Sequence, residues 1–117
     1  MNLQPLRIEA GWQVDYNQLY EVDAVKGFEH YFEGSSLLIL KNRGRLRLID
    51  VEWRPERDLN GAYHIRVLNF VEIFNPKRNE FDCNPDWENP HLDLIIKSRL
   101  ELVNKLEELM RTLPRFR

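Results

Sequence analysis

Apolar residues recur at helical spacing along the stretch from Pro90 to Leu113. Asn89 can cap this segment, Pro90 suits the first helical position, and Pro114 ends it one residue after Leu113. The pattern predicts one long amphipathic helix that covers a sheet, with Arg99 as the charged exception inside the apolar stripe. The stripe consists of Leu92, Ile95, Ile96, Leu102, Val103, Leu106, Leu109, Met110 and Leu113.

The first third of the chain carries two candidate strands. Apolar and polar residues alternate strictly from Leu6 to Tyr16, which predicts a strand with one buried face and a bend at Gly11. A shorter strand is predicted from Leu19 to Ala24. The aromatic segment 25–34 fits either a short helix or an irregular crossover, because its aromatic residues lie at helical spacing but also favour strands.

Three further strands are predicted over residues 37–40, 45–54 and 62–74. A hairpin turn at 42–44 joins the first two, with a positive φ at its asparagine or its glycine. Within the second strand the apolar phase changes near Leu48. That change indicates either a β-bulge or a passage between two packing environments.

Together these elements predict an α+β fold of order β-β-(short element)-β-β-β-α. A twisted antiparallel sheet of about five strands carries one long C-terminal helix packed across one face, because the apolar faces of helix and sheet each need a partner. Residues 1–117 are expected to form a single globular domain, since a chain of this length buries a sufficient core.

Composition excludes several classes of protein. Hydrophobic residues make up 43% of the chain and charged residues 31%, values that exclude a disordered protein. The single cysteine, Cys83, excludes an intramolecular disulfide, and no apolar run has the form of a signal peptide or a membrane span. We therefore expect a cytoplasmic protein without membrane association. The small size and the lack of a catalytic motif are typical of a stand-alone microbial domain.

The net charge of −2 is unevenly distributed, which bears on partners. Residues 1–34 contain two basic and six acidic residues, and residues 35–78 contain nine basic and five acidic residues. Residues 79–117 contain six basic and eight acidic residues. The polar stretch Asn75–Asn89 is predicted to be a long loop with a role of its own. We expect a non-enzymatic protein-binding module, immunity- or adaptor-like, that docks an oppositely charged protein partner. Its candidate contact residues are Glu80, Asp82, Asp86, Trp87 and Glu88.

The sequence contains no recognisable catalytic motif and no typical metal-ligand spacing. His30, His64 and His91 lie on different elements, and no phosphate-binding loop, metalloprotease helix or nucleophile elbow is present. We predict neither an enzyme nor a cofactor. Five possible metal donors lie close together in the sequence, but their spacing matches no calcium loop or zinc site. We interpret the acidic residues among them as negative charge that stabilises the N-terminus of the following helix. These donors are Asp82, Cys83, Asp86, Glu88 and His91.

Two alternative functions rest on other surfaces. The many aromatic residues could line a small-ligand pocket between sheet and helix, although such residues more commonly fill a core. The basic hairpin could bind nucleic acid, but no aromatic residue is interleaved and the chain is net acidic. That combination favours a solvated hairpin whose charges prevent edge aggregation. The hairpin residues are Lys41, Arg43, Arg45 and Arg47.

Arg99 and the sheet carboxylates form the last candidate constellation. An arginine inside an apolar stripe either finds an acidic partner beneath the helix or extends its guanidinium to solvent. Strands that are apolar on both faces, 37–40 and 68–74, also leave open a homodimer in which a second copy covers one face. The candidate partners of Arg99 in a buried ion pair are Asp50, Glu52 and Glu72.

Overall fold

In the computed structural model, which describes all residues from 1 to 117, a curled antiparallel sheet carries one C-terminal helix. The predicted α+β class is therefore confirmed. No helix of the chain combines the length and the apolar character that crossing a membrane requires. The strands are β1 (Gln13–Asn17), β2 (Leu38–Asn42), β3 (Arg47–Arg54), β4 (Ala62–Asn75), β5 (Glu80–Pro85) and β6 (Leu92–Ile96), and the helices are a 3₁₀ turn (Glu29–Tyr31) and α1 (Arg99–Thr112).

The 14-residue strand β4 is the centre of the sheet. Strands β1, β2, β3 and β4 pair antiparallel in that order, and β3 pairs with residues 62–69 of β4. On its other side, β4 pairs with β6 over residues 63–67 and with β5 over residues 70–75.

Strands β5 and β6 lie in one interrupted line along the same edge of β4. The amide of Asp86 donates to the carbonyl of Asn69, and the amide of His91 donates to the carbonyl of Val67. These two carbonyls point the same way, because alternate residues of a strand share a side. The residues between the two strands are called the 86–91 loop.

The outer part of β4 continues beyond the end of β3. Pairing with β3 stops at Asn69, whereas β4 and β5 stay paired from Phe70 to Pro85 around a turn at residues 76–79. This two-stranded projection, residues 70–85, is called the β4–β5 arm. The molecule as a whole is elongated, with dimensions of 51 × 29 × 22 Å.

The main core lies between α1 and one face of the sheet. Apolar residues alternate along β2, β3 and β4, so that one set faces the helix. Trp12 closes one end of this core and donates its indole N–H to the carbonyl of Met110 at 2.9 Å. The fully buried members from sheet and helix include Leu38, Leu40, Ile49, Val51, Ile65, Val67, Leu102, Leu106 and Met110.

The predicted helix over 90–113 is wrong in its first part. Residues 92–96 form β6, and α1 begins only after Ser98, whose hydroxyl oxygen accepts from the amide of Glu101 at 3.2 Å. The open edge of β4 offers backbone partners to this segment, and that long-range pairing outweighs the local helical spacing. The predicted end is close, since α1 ends at Thr112.

The two N-terminal strand predictions are largely wrong. Of the predicted strand 6–16, only the last residues pair, as part of Gln13–Asn17. Gly11, with φ +90°, turns the chain before that pairing begins. The predicted strand 19–24 is reduced to an isolated bridge at Tyr20.

Two questions that the sequence left open are resolved by the structure. Segment 25–34 contains a short 3₁₀ helix rather than only an irregular crossover. Strand β3 has no bulge, because its register is continuous with β2 over residues 47–51 and with β4 over residues 47–54. Leu48 instead packs on the opposite face of the sheet from the main core, in a smaller cluster with Leu68 and Phe70.

The β2–β3 hairpin turn differs from its prediction. The positive φ falls on Leu46, at +58°, rather than on Asn42 or Gly44. Asn42 Oδ1 accepts from the amide of Arg45 at 3.0 Å, which extends the turn to residue 46.

The predicted loop over 75–89 is also wrong, because β5 occupies residues 80–85. A turn with Asn79 at φ +52° folds this segment back onto β4. Pairing with the edge of β4 satisfies its backbone groups despite a polar, proline-containing composition.

Candidate functional site

The β4–β5 arm exposes apolar side chains on both of its faces. Phe74 and Phe81 are directly opposed across the two strands, with ring centroids 5.3 Å apart and planes at 69°. Their exposed fractions are 48% and 64%, and Ile73 on the other face is 54% exposed. The arm therefore concentrates apolar surface on a ribbon that no third strand covers.

This aromatic pair was not among the predicted contact residues. Phe74 ends the predicted strand 62–74, and Phe81 lies within the predicted loop 75–89. The available signal was the turn-forming run from Pro76 to Asn79 between the two aromatic residues, which is typical of a hairpin.

The acidic residues of the arm are partly neutralised within it. Arg78 in the turn forms ion pairs with Glu80, at 3.3 Å, and with Asp82. Asn75 Nδ2 also donates to Asp82 Oδ2 at 3.0 Å. The Asn75 amide and the Arg78 guanidinium hold the pKa of Asp82 below its ordinary value, so this carboxylate stays ionised and orders the turn.

The other predicted contact residues lie in the 86–91 loop. Asn89 Nδ2 approaches both carboxylate oxygens of Asp86 at 3.3 Å, while Trp87 and Glu88 are exposed. The predicted set is thus divided between β5 and the loop but follows one edge of the sheet. This set is Glu80, Asp82, Asp86, Trp87 and Glu88.

The four basic residues of the β2–β3 hairpin do not form one patch. Arg45 NH1 donates to the carbonyls of Met110 and Leu113, both at 3.0 Å. Arg47 is buried, which lowers the pKa of its guanidinium, and its Nε donates to the carbonyl of Pro114 at 3.0 Å. These two arginines therefore cap the C-terminal end of α1, where the helix dipole favours a cation.

The other two basic residues of the hairpin differ in their surroundings. Lys41 Nζ lies 2.9 Å from Asp15 Oδ1 on the neighbouring strand. The exposed Arg43 guanidinium stands 5.6 Å from the ring centroid of Phe70. Arg43 is thus the one residue of the predicted patch that is free of an acidic or carbonyl partner.

Arg99 forms its ion pair on the helix side of the sheet. Its Nε donates to Asp23 Oδ1 at 3.0 Å, and its NH1 donates to Gln4 Oε1 at 2.5 Å. The predicted pairing is wrong, because all three candidate carboxylates occupy strand positions that face away from α1. Those carboxylates are Asp50, Glu52 and Glu72.

Asp50 is fully buried on that opposite face. Ser36 Oγ donates to Asp50 Oδ1 at 2.5 Å, while Oδ2 accepts no hydrogen bond. Burial, and then the neighbouring Glu52 carboxyl, raises the pKa of Asp50 to about 7, against the opposing effect of the Ser36 hydrogen bond. A protonated Oδ2 can donate to Glu52, which gives that oxygen a partner. Neither surface cleft includes this carboxyl pair.

Two clefts open on the surface, with volumes of about 740 Å³ and about 260 Å³. The larger lies where the N-terminus of α1 meets the sheet, and Trp53 and Tyr63 form part of its wall. The smaller includes Tyr16, Tyr20 and Tyr31. The larger cleft has the position predicted for an aromatic pocket between sheet and helix, although only two aromatic residues line it.

The residues considered as metal donors do not form a cluster. No group of three or more histidine, cysteine, aspartate or glutamate side chains is arranged to hold a metal ion. Cys83 is a free, exposed thiol on β5. Burial, and then the Arg47 charge, lowers the pKa of His91 in the 86–91 loop.

Comparison with known protein families, with curated proteins and with solved structures finds no match for this chain.

Proposed function

We propose that this chain is a non-enzymatic protein-binding module, adaptor- or immunity-like, that docks a partner through the β4–β5 arm and the 86–91 loop. The observation that carries the proposal is the exposed Phe74–Phe81 pair. Aromatic side chains at the centre of an exposed apolar patch are typical anchors of protein interfaces.

The charge around the aromatic pair supports one kind of partner. Residues 70–91 contain two Lys/Arg and five Asp/Glu, a net charge of −3 within a chain of net charge −2. Arg78 neutralises part of this charge inside the turn, whereas Glu72 and Glu88 have no ion pair. The complementary partner surface is an apolar groove rimmed by basic residues.

The backbone of the arm supports the same proposal. Beyond Phe70, β4 has no neighbour on its β3 side, and β5 has none on its outer side. A two-stranded ribbon is marginally stable in water by itself, so a partner that covers its apolar face also stabilises it. Its open edges additionally allow a partner strand to pair with the backbone.

The test is affinity capture with purified chain from a lysate of its source, followed by titration with the purified captured protein. A Phe74→Ser/Phe81→Ser double variant removes the aromatic anchors. Ile95→Ser is the matched control, because it removes an equally exposed apolar side chain (65% exposed) from β6, away from the arm. Ile95 lies opposite His64, which is ten residues from Phe74 along β4. That separation corresponds to about 33 Å.

We expect one protein to be retained near equimolar amount by the wild type and by the control. The double variant should bind this protein at least about tenfold more weakly, because aromatic anchors contribute a large share of the binding free energy. Binding should also weaken as salt is raised, because the rims carry opposite charge. Retention that is equal in the double variant would contradict the proposal. So would a wild-type dimer in light scattering that becomes monomeric in the double variant, since the occupant would then be a second copy.

A further inference from the structure

The larger cleft combines positive charge with a buried aromatic wall. It has a volume of about 740 Å³, within the range of small-molecule sites. Lys97 and Arg99 bring two positive charges to its lining and Asp23 brings one negative charge. One positive charge therefore remains, to which the N-terminus of a helix adds about half a charge.

Several donors in this cleft have no acceptor within the chain. Ser98 Oγ accepts from the amide of Glu101, and the Ser98 carbonyl accepts from the amide of Leu102. The preceding amides, of Arg99 and Leu100, make no hydrogen bond and remain available at the first turn of α1. Lys97 likewise has no acidic partner.

Tyr63 gives a second, independent indication of a ligand. Only 2% of this residue is exposed, yet its hydroxyl makes no hydrogen bond to the chain, and the residue lines the cleft. The hydroxyl oxygen keeps some contact with solvent and therefore opens into the cleft that the residue lines. Burial, and then the charge of Asp23, raises the pKa of Tyr63 to about 12, which keeps the hydroxyl protonated and able to donate. A nearly buried donor without a partner is unusual in proteins.

We propose that this cleft binds a small organic monoanion, namely a carboxylate carried on a flat apolar group. The carboxylate accepts from Lys97, from the first amides of α1 and from the Tyr63 hydroxyl. The apolar part lies against Trp53, Leu100 and Val103, which line the same cleft. A single remaining positive charge matches a carboxylate better than a phosphate dianion.

This site is separate from the β4–β5 arm. Tyr63 and Phe74 are eleven residues apart on β4, a distance of about 36 Å along the strand. The inference therefore does not depend on the proposed protein-binding role, and a variant of the arm should leave the cleft unchanged.

The test is a ¹H–¹⁵N chemical-shift titration with benzoate, with neutral benzamide and inorganic phosphate as comparison probes. We expect saturable shifts of the amides at 97–100 with benzoate, and at least about tenfold weaker binding of benzamide and phosphate. Failure of benzoate to saturate would overturn the proposal, as would equal binding of benzamide. Tighter binding of phosphate would overturn the assignment to a carboxylate.

Variants separate this site from a general attraction of anions to the chain. Tyr63→Phe removes only the hydroxyl, and Lys97→Gln removes one exposed charge; each should weaken benzoate binding by about three- to tenfold. Arg111→Gln removes the same charge from the last turn of α1 and is the control that should bind benzoate as the wild type does. If Tyr63→Phe and Lys97→Gln behave like this control, the cleft is not the binding site.

Discussion

Asp50 is the residue whose environment departs furthest from its ordinary one. Its carboxyl is fully buried beside Glu52, with a donor for only one of its oxygens. A buried ionised carboxylate is costly, and a second carboxyl beside it adds to that cost. The protonated form of Asp50 is therefore the one that the fold favours.

This environment predicts how stability depends on pH. The pKa of Asp50 is about 7 in the folded chain and 3.8 ordinarily, so the folded state binds the proton more tightly. The resulting stabilisation is fully present below pH 3.8 and is lost as pH rises through about 7. Between pH 5 and pH 8 the free energy of unfolding should fall by a few kcal/mol, at about 1.4 kcal/mol per pH unit at most.

Asp50→Asn should remove most of this dependence, because the amide is neutral at every pH and its carbonyl can still accept from Ser36. Chemical denaturation at pH 5 and pH 8 measures the difference. Glu88→Gln, which alters an exposed carboxylate without an ion pair, should keep the wild-type slope. A slope that is unchanged in Asp50→Asn would show that another group titrates.

Among the elements, the β2–β3 hairpin and α1 depend on each other. Arg45 and Arg47 reach from the hairpin to carbonyls at or just beyond the end of the helix, where the last carbonyls have no partner within the helix itself. The carbonyl of Met110 also accepts from the indole of Trp12. The amide of Phe116 in turn donates to the carbonyl of Arg45 at 2.9 Å. A pair of arginines that resembles a phosphate-binding patch in the sequence therefore anchors a helix.

Arg45→Gln should lower the free energy of unfolding by about 1–2 kcal/mol, because two carbonyls lose a charged donor at the negative end of the helix dipole. The Arg43 side chain, two residues away in the same turn, stands over the ring of Phe70 and has no ion pair, so Arg43→Gln should cost less than about 1 kcal/mol. Urea denaturation of the two variants tests this difference. Equal losses would mean that Arg45 contributes no more than a solvated charge.

On the scale of the whole molecule, stability is unevenly distributed. The main core joins α1 to the helix-facing sides of β2, β3 and β4, whereas the β4–β5 arm projects beyond β3 with its apolar pair exposed. Few buried contacts and open strand edges characterise a segment that fluctuates locally without global unfolding. The proposed contact surface is thus the part of the sheet that a partner can most readily order.

Hydrogen exchange should reveal this gradient. Amides at 72–74 and 81–83 should exchange at least about tenfold faster than the paired amides around Ile65 in the centre of β4. Phe74→Ser/Phe81→Ser should change the global free energy of unfolding by less than about 0.5 kcal/mol, as is usual for exposed sites. Protection in the arm equal to that of Ile65 would contradict this picture.

Much of the fold follows from local patterns. Alternation in the predicted strands 45–54 and 62–74 anticipated β3 and β4, because a strand that faces one core must place apolar residues at every second position. The apolar stripe from Leu102 to Leu113 and the following proline likewise defined the last part of α1. These properties depend on residues close together in the chain.

Several other features of the fold depend on partners that are distant in sequence. Residues 92–96 carry a spacing that fits a helix, and they become a strand because β4 offers an open edge. Arg99 pairs with Asp23, 76 residues away, rather than with a carboxylate of the sheet. The contact candidates changed for the same reason: the aromatic pair of the arm exists only once β5 folds back on β4. Local composition determines which residues prefer burial, whereas long-range pairing determines which backbone edges and charges are left unsatisfied.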